Sequence, residues 1–186
     1  MGRAILITGG ARSGKSSYAE KLAKELEGNV LYIATSIPFD EEMKLRIRKH
    51  KESRPQEWDT FEGYKGLEKV ISEKGRQYKG ILLDCITVMV TNLLLEYTGM
   101  EDRDFPSEDF EKAEATIEKE IEKLMDGIRE SEATVILVTN ELGSGIVPEN
   151  TLARTFRDIA GRMNQYIGSR CDEVYMTVCG IPLRLK

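Results

Sequence analysis

Short runs of apolar residues alternate along the chain with longer segments in which apolar residues recur every three or four positions. Runs that are apolar at nearly every position are typical of strands covered on both faces, and the helical segments between them favour parallel pairing. The predicted strands are Ala4–Thr8, Val30–Ala34, Gly80–Asp84, Thr134–Thr139 and Glu173–Val178. The predicted helices are Ser16–Glu27, Asp40–Lys51, Gly66–Lys74, Thr87–Tyr97, Glu108–Arg129 and Leu152–Ser169.

This alternation predicts an α/β fold, a three-layer sandwich around a mostly parallel sheet. The segments EVYMTV and PLRLK, joined through Cys179-Gly180-Ile181, predict a hairpin with an antiparallel strand at the C-terminal edge. The polar segment 99–109 contains a proline and is expected to be a surface loop. No linker-like stretch divides the 186 residues, so we expect one domain over residues 1–186.

Composition and charge narrow the classes of function. The formal net charge of -5 argues against a general binder of nucleic acids or anionic membranes. The longest apolar region, ITVMVTNLLL, is too short to span a bilayer, and the N-terminus has no signal-peptide pattern. The three cysteines, Cys85, Cys171 and Cys179, have no metal-ligand spacing and are expected to be reduced thiols. We therefore predict a cytoplasmic protein without nucleic-acid partners or membrane insertion.

A glycine-rich segment follows the first predicted strand and precedes the first predicted helix. Its sequence, GGARSGKS, matches the P-loop pattern GxxxxGK(S/T) in the context that this pattern requires. Glycines allow backbone N–H groups to turn inward around a phosphate, and the helix adds its positive N-terminus. The fold expected is therefore P-loop NTPase-like. The predicted phosphate contacts are Gly9, Gly10, Ala11, Arg12, Ser13, Gly14, Lys15, which would reach the β- and γ-phosphates, and Ser16, which would bind Mg²⁺.

A P-loop site also needs an acidic residue at the end of a neighbouring strand, to hold the metal or its water shell. Asp84 follows the apolar run GILL and is the candidate. An aspartate at this place can also be only the N-cap of the following helix. The presence of the P-loop favours the metal site.

Kinases, signalling GTPases and motor ATPases share the P-loop, so function depends on other segments. A signalling GTPase would carry a DxxG switch and a guanine-reading NKxD sequence. The corresponding segments read DCIT at 84–87 and TNEL at 139–142, and neither fits. A binding switch is therefore the weaker hypothesis.

The only histidine, His50, lies in KLRIRKHKESRP, a basic segment of an otherwise acidic chain. On a helix it would share a stripe with Met43, Ile47 and Arg54, so a structural role is one interpretation and RNA binding by the basic residues is another. An unperturbed imidazole is mostly neutral near neutral pH, and neighbouring cations favour that form and stabilise charge on phosphate oxygens. His50 is therefore a candidate covalent nucleophile toward phosphorus.

Six segments of the chain together resemble the adenosylcobinamide kinase/adenosylcobinamide-phosphate guanylyltransferase family of cobalamin biosynthesis. They are ILITGGARSGKS, LYIATS, RIRKHKESRPQEWDTFE, ILLDCITVMVTNLL, VTNELGSGIVPEN and ARTFRDIAGRMNQ. The resemblance runs nearly from end to end and weakens only in residues 99–109 and in the charged helix after them. Several of these segments are far more specific than a P-loop.

The resemblance implies a bifunctional enzyme. One polypeptide phosphorylates the aminopropanol hydroxyl of adenosylcobinamide with ATP or GTP. It then transfers GMP from GTP to adenosylcobinamide phosphate through a guanylylated histidine, giving adenosylcobinamide-GDP and pyrophosphate. That histidine would be His50, which precedes a lysine and Ser-Arg-Pro, and Lys15 would be the second catalytic residue. The implied nucleotide contacts are Gly9 to Ser16, Ala34, Thr35, Ser36, Lys51, Glu52, Ser53, Arg54, Glu62 and Asp84.

The resemblance also implies a homotrimer with nucleotide sites near the subunit contacts. Relatives are expected to carry glutamate where this chain has the shorter Asp84, which leaves open direct nucleotide contact or metal binding through water. The segment NELGSGIVPEN, residues 140–150, follows an apolar strand at the ligand-binding edge of the sheet. It is expected near the corrinoid or the phosphates, with a plain connection as the other interpretation. The alternative function is a P-loop small-molecule kinase without the guanylyltransferase step.

Overall fold

The computed structural model describes residues 2–37, 41, 44, 45, 48, 51, 55–99 and 107–186. Within these residues seven strands form one sheet with the order β3-β2-β4-β5-β1-β6-β7, and only the pair β6 and β7 is antiparallel. The predicted mostly parallel sheet with an antiparallel C-terminal edge is confirmed. The strands are β1 (Arg3–Gly9), β2 (Val30–Ala34), β3 (Asp59–Glu62), β4 (Gly80–Asp84), β5 (Thr134–Val138), β6 (Glu173–Val178) and β7 (Ile181–Arg184).

Five helices are continuous in the described part of the chain, and each overlaps a predicted helix. They are α1 (Lys15–Lys24), α2 (Leu67–Lys74), α3 (Ile86–Thr98), α4 (Ser107–Glu130) and α5 (Thr151–Arg170). The predicted helix Asp40–Lys51 lies mostly outside the described residues, although the five described residues within it are helical. Residues 100–106 of the predicted loop 99–109 also lie outside the described residues, and residues 107–109 begin α4 instead of ending the loop.

Two apolar layers form because successive side chains of a strand point to opposite faces of the sheet. In β1, Ala4 and Leu6 belong to one buried cluster, whereas Ile5 and Ile7 belong to the other. Residues of α2, α3, α4 and α5 complete the first cluster, and the small side chains of α1, such as Ala19, complete the second. The predicted three-layer sandwich is confirmed.

Strand β3 is not predicted by the sequence pattern, because its residues, DTFE, contain no apolar run. It is an edge strand, paired in parallel with β2 from Leu31↔Asp59 to Ala34↔Glu62. Three of its four residues are exposed. An exposed edge strand does not require apolar residues at each position, so periodicity gives no signal for it.

Helix α3 runs along the carboxyl edge of the sheet. Its first turn contacts the end of β5, where the Oγ1 atoms of Thr87 and Thr139 are 3.2 Å apart. Further along, Asn92 Nδ2 donates to the carbonyl oxygen of Thr35, directly after β2, at 2.7 Å. Its last turns reach the segment that follows β3, where Lys65 donates to Glu96. The helix therefore connects the segments that follow three of the parallel strands.

Candidate active site

The P-loop forms the turn between β1 and α1. Gly9 ends β1, and Gly14 is the N-cap residue of α1 in the left-handed conformation, with φ of 99°. Gly14 has no side chain that could accept from the N–H groups of the first helical turn. These backbone donors and the helix dipole form the kind of site that binds a phosphate.

Lys15 is directed into the P-loop rather than into solvent. Its residue is only 8% exposed, and its Nζ donates to the carbonyl oxygen of Gly10 at 2.7 Å. An ammonium in a partly dehydrated turn interacts more strongly with an anion than one in bulk water. The structure thus brings a fixed positive charge to the place where the P-loop pattern predicts it.

The hairpin turn between β6 and β7 packs against the P-loop from one side. Gly180 N donates to the carbonyl oxygen of Ser13 at 2.8 Å, and the hydroxyls of Ser13 and Thr177 are 2.8 Å apart. A Cβ at Gly14 would lie 2.9 Å from Gly180 Cα, and one at Gly9 would lie 2.6 Å from the carbonyl oxygen of Thr177. The glycines are therefore required by protein packing as well as by the approach of a phosphate.

Asp84 lies at the end of β4, at the same edge of the sheet as the P-loop. Its Oδ2 accepts a hydrogen bond from the hydroxyl of Tyr32 at 2.8 Å, and Tyr32 is 3% exposed. The N-cap residue of α3 is Cys85, whose Sγ accepts from Val88 N at 3.5 Å. Asp84 is therefore not the helix cap, and its carboxylate is oriented by a buried tyrosine instead.

Residues Ala34, Thr35 and Ser36 leave β2 at this edge, and the first two are buried. The Thr35 hydroxyl accepts from Cys85 N and donates to the Cys85 carbonyl oxygen, both at 2.9 Å. The carbonyl oxygen of Thr35 accepts the hydrogen bond from Asn92 that is described above. The Thr35 side chain therefore joins the ends of β2 and β4. Of Ala34, Thr35 and Ser36, only Ser36 is partly accessible to solvent.

Glu62 ends β3 beside Ala34 and forms an ion pair with Lys51. Three strands separate β3 from β1, so this pair lies about 19 Å from Gly9 at the usual strand spacing. The predicted contacts in the described residues thus extend along one edge from the P-loop to β3, with Asp84 beside Ala34 between the two ends. His50, Glu52, Ser53 and Arg54 lie outside the described residues.

Comparison with known proteins assigns the chain to a family. The family described as cobinamide kinase/cobinamide phosphate guanyltransferase matches residues 5–185. The chain belongs to this family. The bifunctional adenosylcobalamin biosynthesis protein CobU of Escherichia coli (strain K12) is 47% identical over 98% of this chain and 99% of its own length. The protein of the same name from Salmonella typhimurium is 49% identical, also over 98% and 99%.

A third relative, the bifunctional adenosylcobalamin biosynthesis protein CobP of Pseudomonas aeruginosa, is 40% identical over 97% of this chain and 96% of its own length. The chain is therefore an enzyme, a cobinamide kinase and cobinamide phosphate guanyltransferase, and the resemblance inferred from the six segments is confirmed. Family membership favours the enzyme over the signalling switch.

In this cobinamide kinase/guanyltransferase, the 140–150 segment is held beside the P-loop. Glu141 N donates to the carbonyl oxygen of Gly9 at 3.0 Å. Asn140 N donates to Thr87 Oγ1 at 2.7 Å, and the carbonyl oxygen of Asn140 accepts from Asn164 Nδ2 at 3.1 Å. Thr139 Oγ1 also donates to Asn164 Oδ1 at 2.7 Å. These bonds therefore hold the start of the segment at the same edge of the sheet as the P-loop.

Sequence reasoning missed the residues that position the site. Four of them are Tyr32, Asn92, Asn164 and Thr177. Tyr32 is a polar interruption of an otherwise apolar strand, and Asn92 is an amide within the apolar run of α3, so both carried a weak signal. Asn164 and Thr177 carry none, because their roles depend on contacts with residues distant in the chain.

The contact between Gly14 and Gly180 can be tested by comparing two glycine variants. We expect Gly14→Ala to lower the stability of the ligand-free protein by about 1–3 kcal/mol, because it combines a positive φ with a backbone clash. In Gly10→Ala the added Cβ meets nothing within 4 Å, so we expect a change within about 0.5 kcal/mol. Urea unfolding measures both, and equal midpoints for the two variants would contradict the packing argument.

The cysteines provide a second test. Burial raises the pKa of Cys85 to about 12, with the nearby Asp84 charge adding to the effect. Burial likewise raises the pKa of Cys171 to about 12, whereas Cys179 is exposed. Because the thiolate is the reactive form, iodoacetamide at pH values near 8 should alkylate Cys179 alone in the folded protein and all three after unfolding. Peptide mass spectrometry reads the sites, and rapid native labelling of Cys85 would contradict the burial.

Proposed function

We propose that this chain carries out both reactions within a single domain over residues 1–186, with ATP or GTP as phosphoryl donor and GTP as guanylyl donor. The observation that supports this most is the buried Lys15 ammonium inside the P-loop turn, at the same sheet edge as Asp84. Phosphoryl transfer depends mainly on positioning and on stabilisation of charge, and a P-loop provides both.

In the kinase reaction, the P-loop backbone and Lys15 hold the β- and γ-phosphates. The aminopropanol hydroxyl oxygen of adenosylcobinamide attacks the γ-phosphorus in line. The bond from that phosphorus to the β-phosphate bridging oxygen breaks, the nucleoside diphosphate leaves, and the hydroxyl proton passes to solvent or to a phosphate oxygen. Lys15 stabilises the charge on the transferring group and on the leaving oxygen.

The residues present suit a magnesium ion bound together with the nucleotide. Mg²⁺ prefers oxygen ligands, is usually held by few protein groups and completes its shell with waters and phosphate oxygens. Ser16 Oγ and the Asp84 carboxylate, oriented by Tyr32, are such ligands. Among the described residues there is no group of three or more His, Cys, Asp and Glu that could hold a metal by itself. We propose that Ser16 and Asp84 hold the ion, which neutralises phosphate charge.

In the guanylyltransferase reaction, His50 is the proposed nucleophile. A ring nitrogen attacks the α-phosphorus of GTP and pyrophosphate leaves. A phosphate oxygen of adenosylcobinamide phosphate then attacks the same phosphorus, so that the P–N bond breaks and adenosylcobinamide-GDP forms. The neighbouring Lys51 is paired with Glu62 on the β2–β3 side of the edge, which supports a site for the α-phosphate of the guanylyl-donor GTP on that side. We propose that Ser36, Lys51, Glu52, Ser53, Arg54 and Glu62 contact the nucleotide there.

Two further proposals concern assembly and location. We propose a homotrimer in the cytoplasm that acts on adenosylcobinamide and its phosphate and binds no nucleic acid. Among the described residues, no helix combines the length and apolar character needed to cross a bilayer. The net charge of -5 is unfavourable for binding a polyanion.

A pair of variants should separate the two activities. His50→Asn keeps a polar side chain without a comparable nucleophile, so covalent GMP labelling and adenosylcobinamide-GDP formation should be abolished while phosphorylation of adenosylcobinamide largely persists. Lys15→Ala should instead lose triphosphate binding and the kinase reaction. The measurement is incubation with α-labelled GTP and Mg²⁺, denaturation, and detection of label on the protein, with kinase activity followed separately.

The stability of the label identifies the bond. A phosphoramidate on histidine is labile in acid and survives base, whereas an acyl phosphate does not survive base. Label of the same acid lability on His50→Asn would exclude His50 as the carrier, and wild-type turnover by Lys15→Ala would exclude the P-loop mechanism. A wild-type chain that phosphorylates the substrate and never takes up GMP would instead support a kinase alone.

The proposed assembly has its own test. Multi-angle light scattering of the full chain at working concentrations should give a mass of three chains. A monomer at those concentrations would contradict the trimer, without bearing on the chemistry of His50 or Lys15.

A further inference from the structure

The 140–150 segment carries an adjacent pair of exposed apolar side chains at its tip. Ile146 is 95% exposed and Val147 is 60% exposed. A single exposed apolar residue is ordinary, and two neighbours on a loop need a further argument before they indicate a ligand. That argument comes from how the segment is held and from what lies next to it.

Both ends of the segment are attached to the body of the protein. Its first residues are bonded to Thr87, Asn164 and Gly9, as described above. Its last residue, Asn150, is the N-cap of α5, with Oδ1 accepting from Ala153 N at 2.9 Å. Arg154 donates to the carbonyl oxygen of Pro148 at 3.0 Å. The segment is therefore attached on either side of the apolar pair.

The middle of the segment is braced as well. Gly143 N donates to Glu141 Oε1 at 2.7 Å, and Arg157 Nη2 donates to the carbonyl oxygen of Gly143 at 3.3 Å. A loop bonded at its ends and its middle has little freedom to fold its tip onto the protein. The apolar pair is thus presented to solvent by a structured support.

The apolar pair belongs to a segment that is bonded to the P-loop, where the acceptor substrate has to bind. The bond between Glu141 N and the carbonyl oxygen of Gly9 joins the segment to the first residue of the P-loop. A cobinamide whose hydroxyl reaches the γ-phosphate has to lie at this edge, and its corrin macrocycle is a large ring with apolar surface. We infer that Ile146 and Val147 form a contact surface for the corrin ring of the acceptor. This inference rests on the proposed kinase reaction.

A cavity elsewhere in the protein offers a rival position for the corrinoid. A cavity of about 440 Å³ lies between α2, α3 and α4, lined by Lys65, Tyr97 and Lys123 among others. Its lysines are paired with neighbouring carboxylates, Lys65 with Glu96 and Lys123 with Glu120. It lies beside the segment that follows β3, at the far end of the edge from the P-loop. The 140–150 segment is the better candidate because it is bonded to the P-loop itself.

The test compares serine variants in steady-state kinase assays. Ile146→Ser and Val147→Ser should each raise the KM for adenosylcobinamide by about tenfold, the usual effect of removing apolar contact with a substrate. The KM for ATP or GTP and the affinity for a fluorescent GTP analogue should stay at wild-type values. Ile146→Leu should restore the wild-type KM for adenosylcobinamide. The matched control is Leu185→Ser, which removes a leucine that is 62% exposed. The backbone N–H of Leu185 donates to the carbonyl oxygen of Val174 near the start of β6, at the opposite edge of the sheet from the P-loop.

Equilibrium dialysis of adenosylcobinamide against the full chain gives a readout that does not need turnover. Weaker retention of adenosylcobinamide by Ile146→Ser than by Leu185→Ser would support the contact. If the wild-type protein bound adenosylcobinamide in this way but transferred no phosphoryl group, the proposed reaction would fail and the contact would stand. Wild-type KM and retention in both loop variants would overturn the inference. An effect of Tyr97→Ser without an effect of the loop variants would overturn it in favour of the cavity.

Discussion

The position of β1 within the sheet is the constraint on which the active site depends. β1 is hydrogen-bonded to β5 on one side and to β6 on the other, so its carboxyl end is fixed relative to both. The bonding continues beyond the strand. Glu141 N donates to Gly9 O on the β5 side, and Gly180 N donates to Ser13 O on the β6 side. The shape of the P-loop is therefore a property of three neighbouring segments, and glycine is needed where they approach most closely.

Buried polar groups join the segments that leave the sheet at this edge. Thr35, Asn92 and Thr139 are each at most 3% exposed, and each is hydrogen-bonded to a residue distant in sequence. A buried polar group left without a partner costs about 1–3 kcal/mol, so each of these bonds favours one arrangement of the loops. Because α3 takes part through Thr87 in its first turn and Asn92 in its middle, it couples the β5 side to the β2 side. The P-loop, Asp84 and the start of the 140–150 segment are thus held together at one edge of the sheet.

Local patterns predicted most of the fold. The central strands are apolar at nearly every residue because helices cover both faces, and five of them were predicted within two residues of their ends. The C-terminal hairpin followed from its glycine turn. Strand β3 was missed because an exposed edge strand needs no apolar pattern. Within the site, GGARSGKS and Asp84 stood out from the sequence, whereas Tyr32 and Thr177 did not, since neither has a neighbour in sequence that defines its role.

By itself, the sequence determined the family, the P-loop, the sheet's parallel core and the candidacy of His50, because each of these depends on short segments that can be recognised without knowing how they pack. Only the tertiary structure decided that Cys85 and not Asp84 caps α3, that a tyrosine from β2 orients that aspartate, and that Gly14 faces Gly180. The tertiary structure also spread the predicted nucleotide contacts along one edge of the sheet, from β1 to β3, and brought the 140–150 segment to the P-loop. These facts depend on which strands are neighbours in the sheet, and strand order is set by packing between distant segments, which no local pattern records.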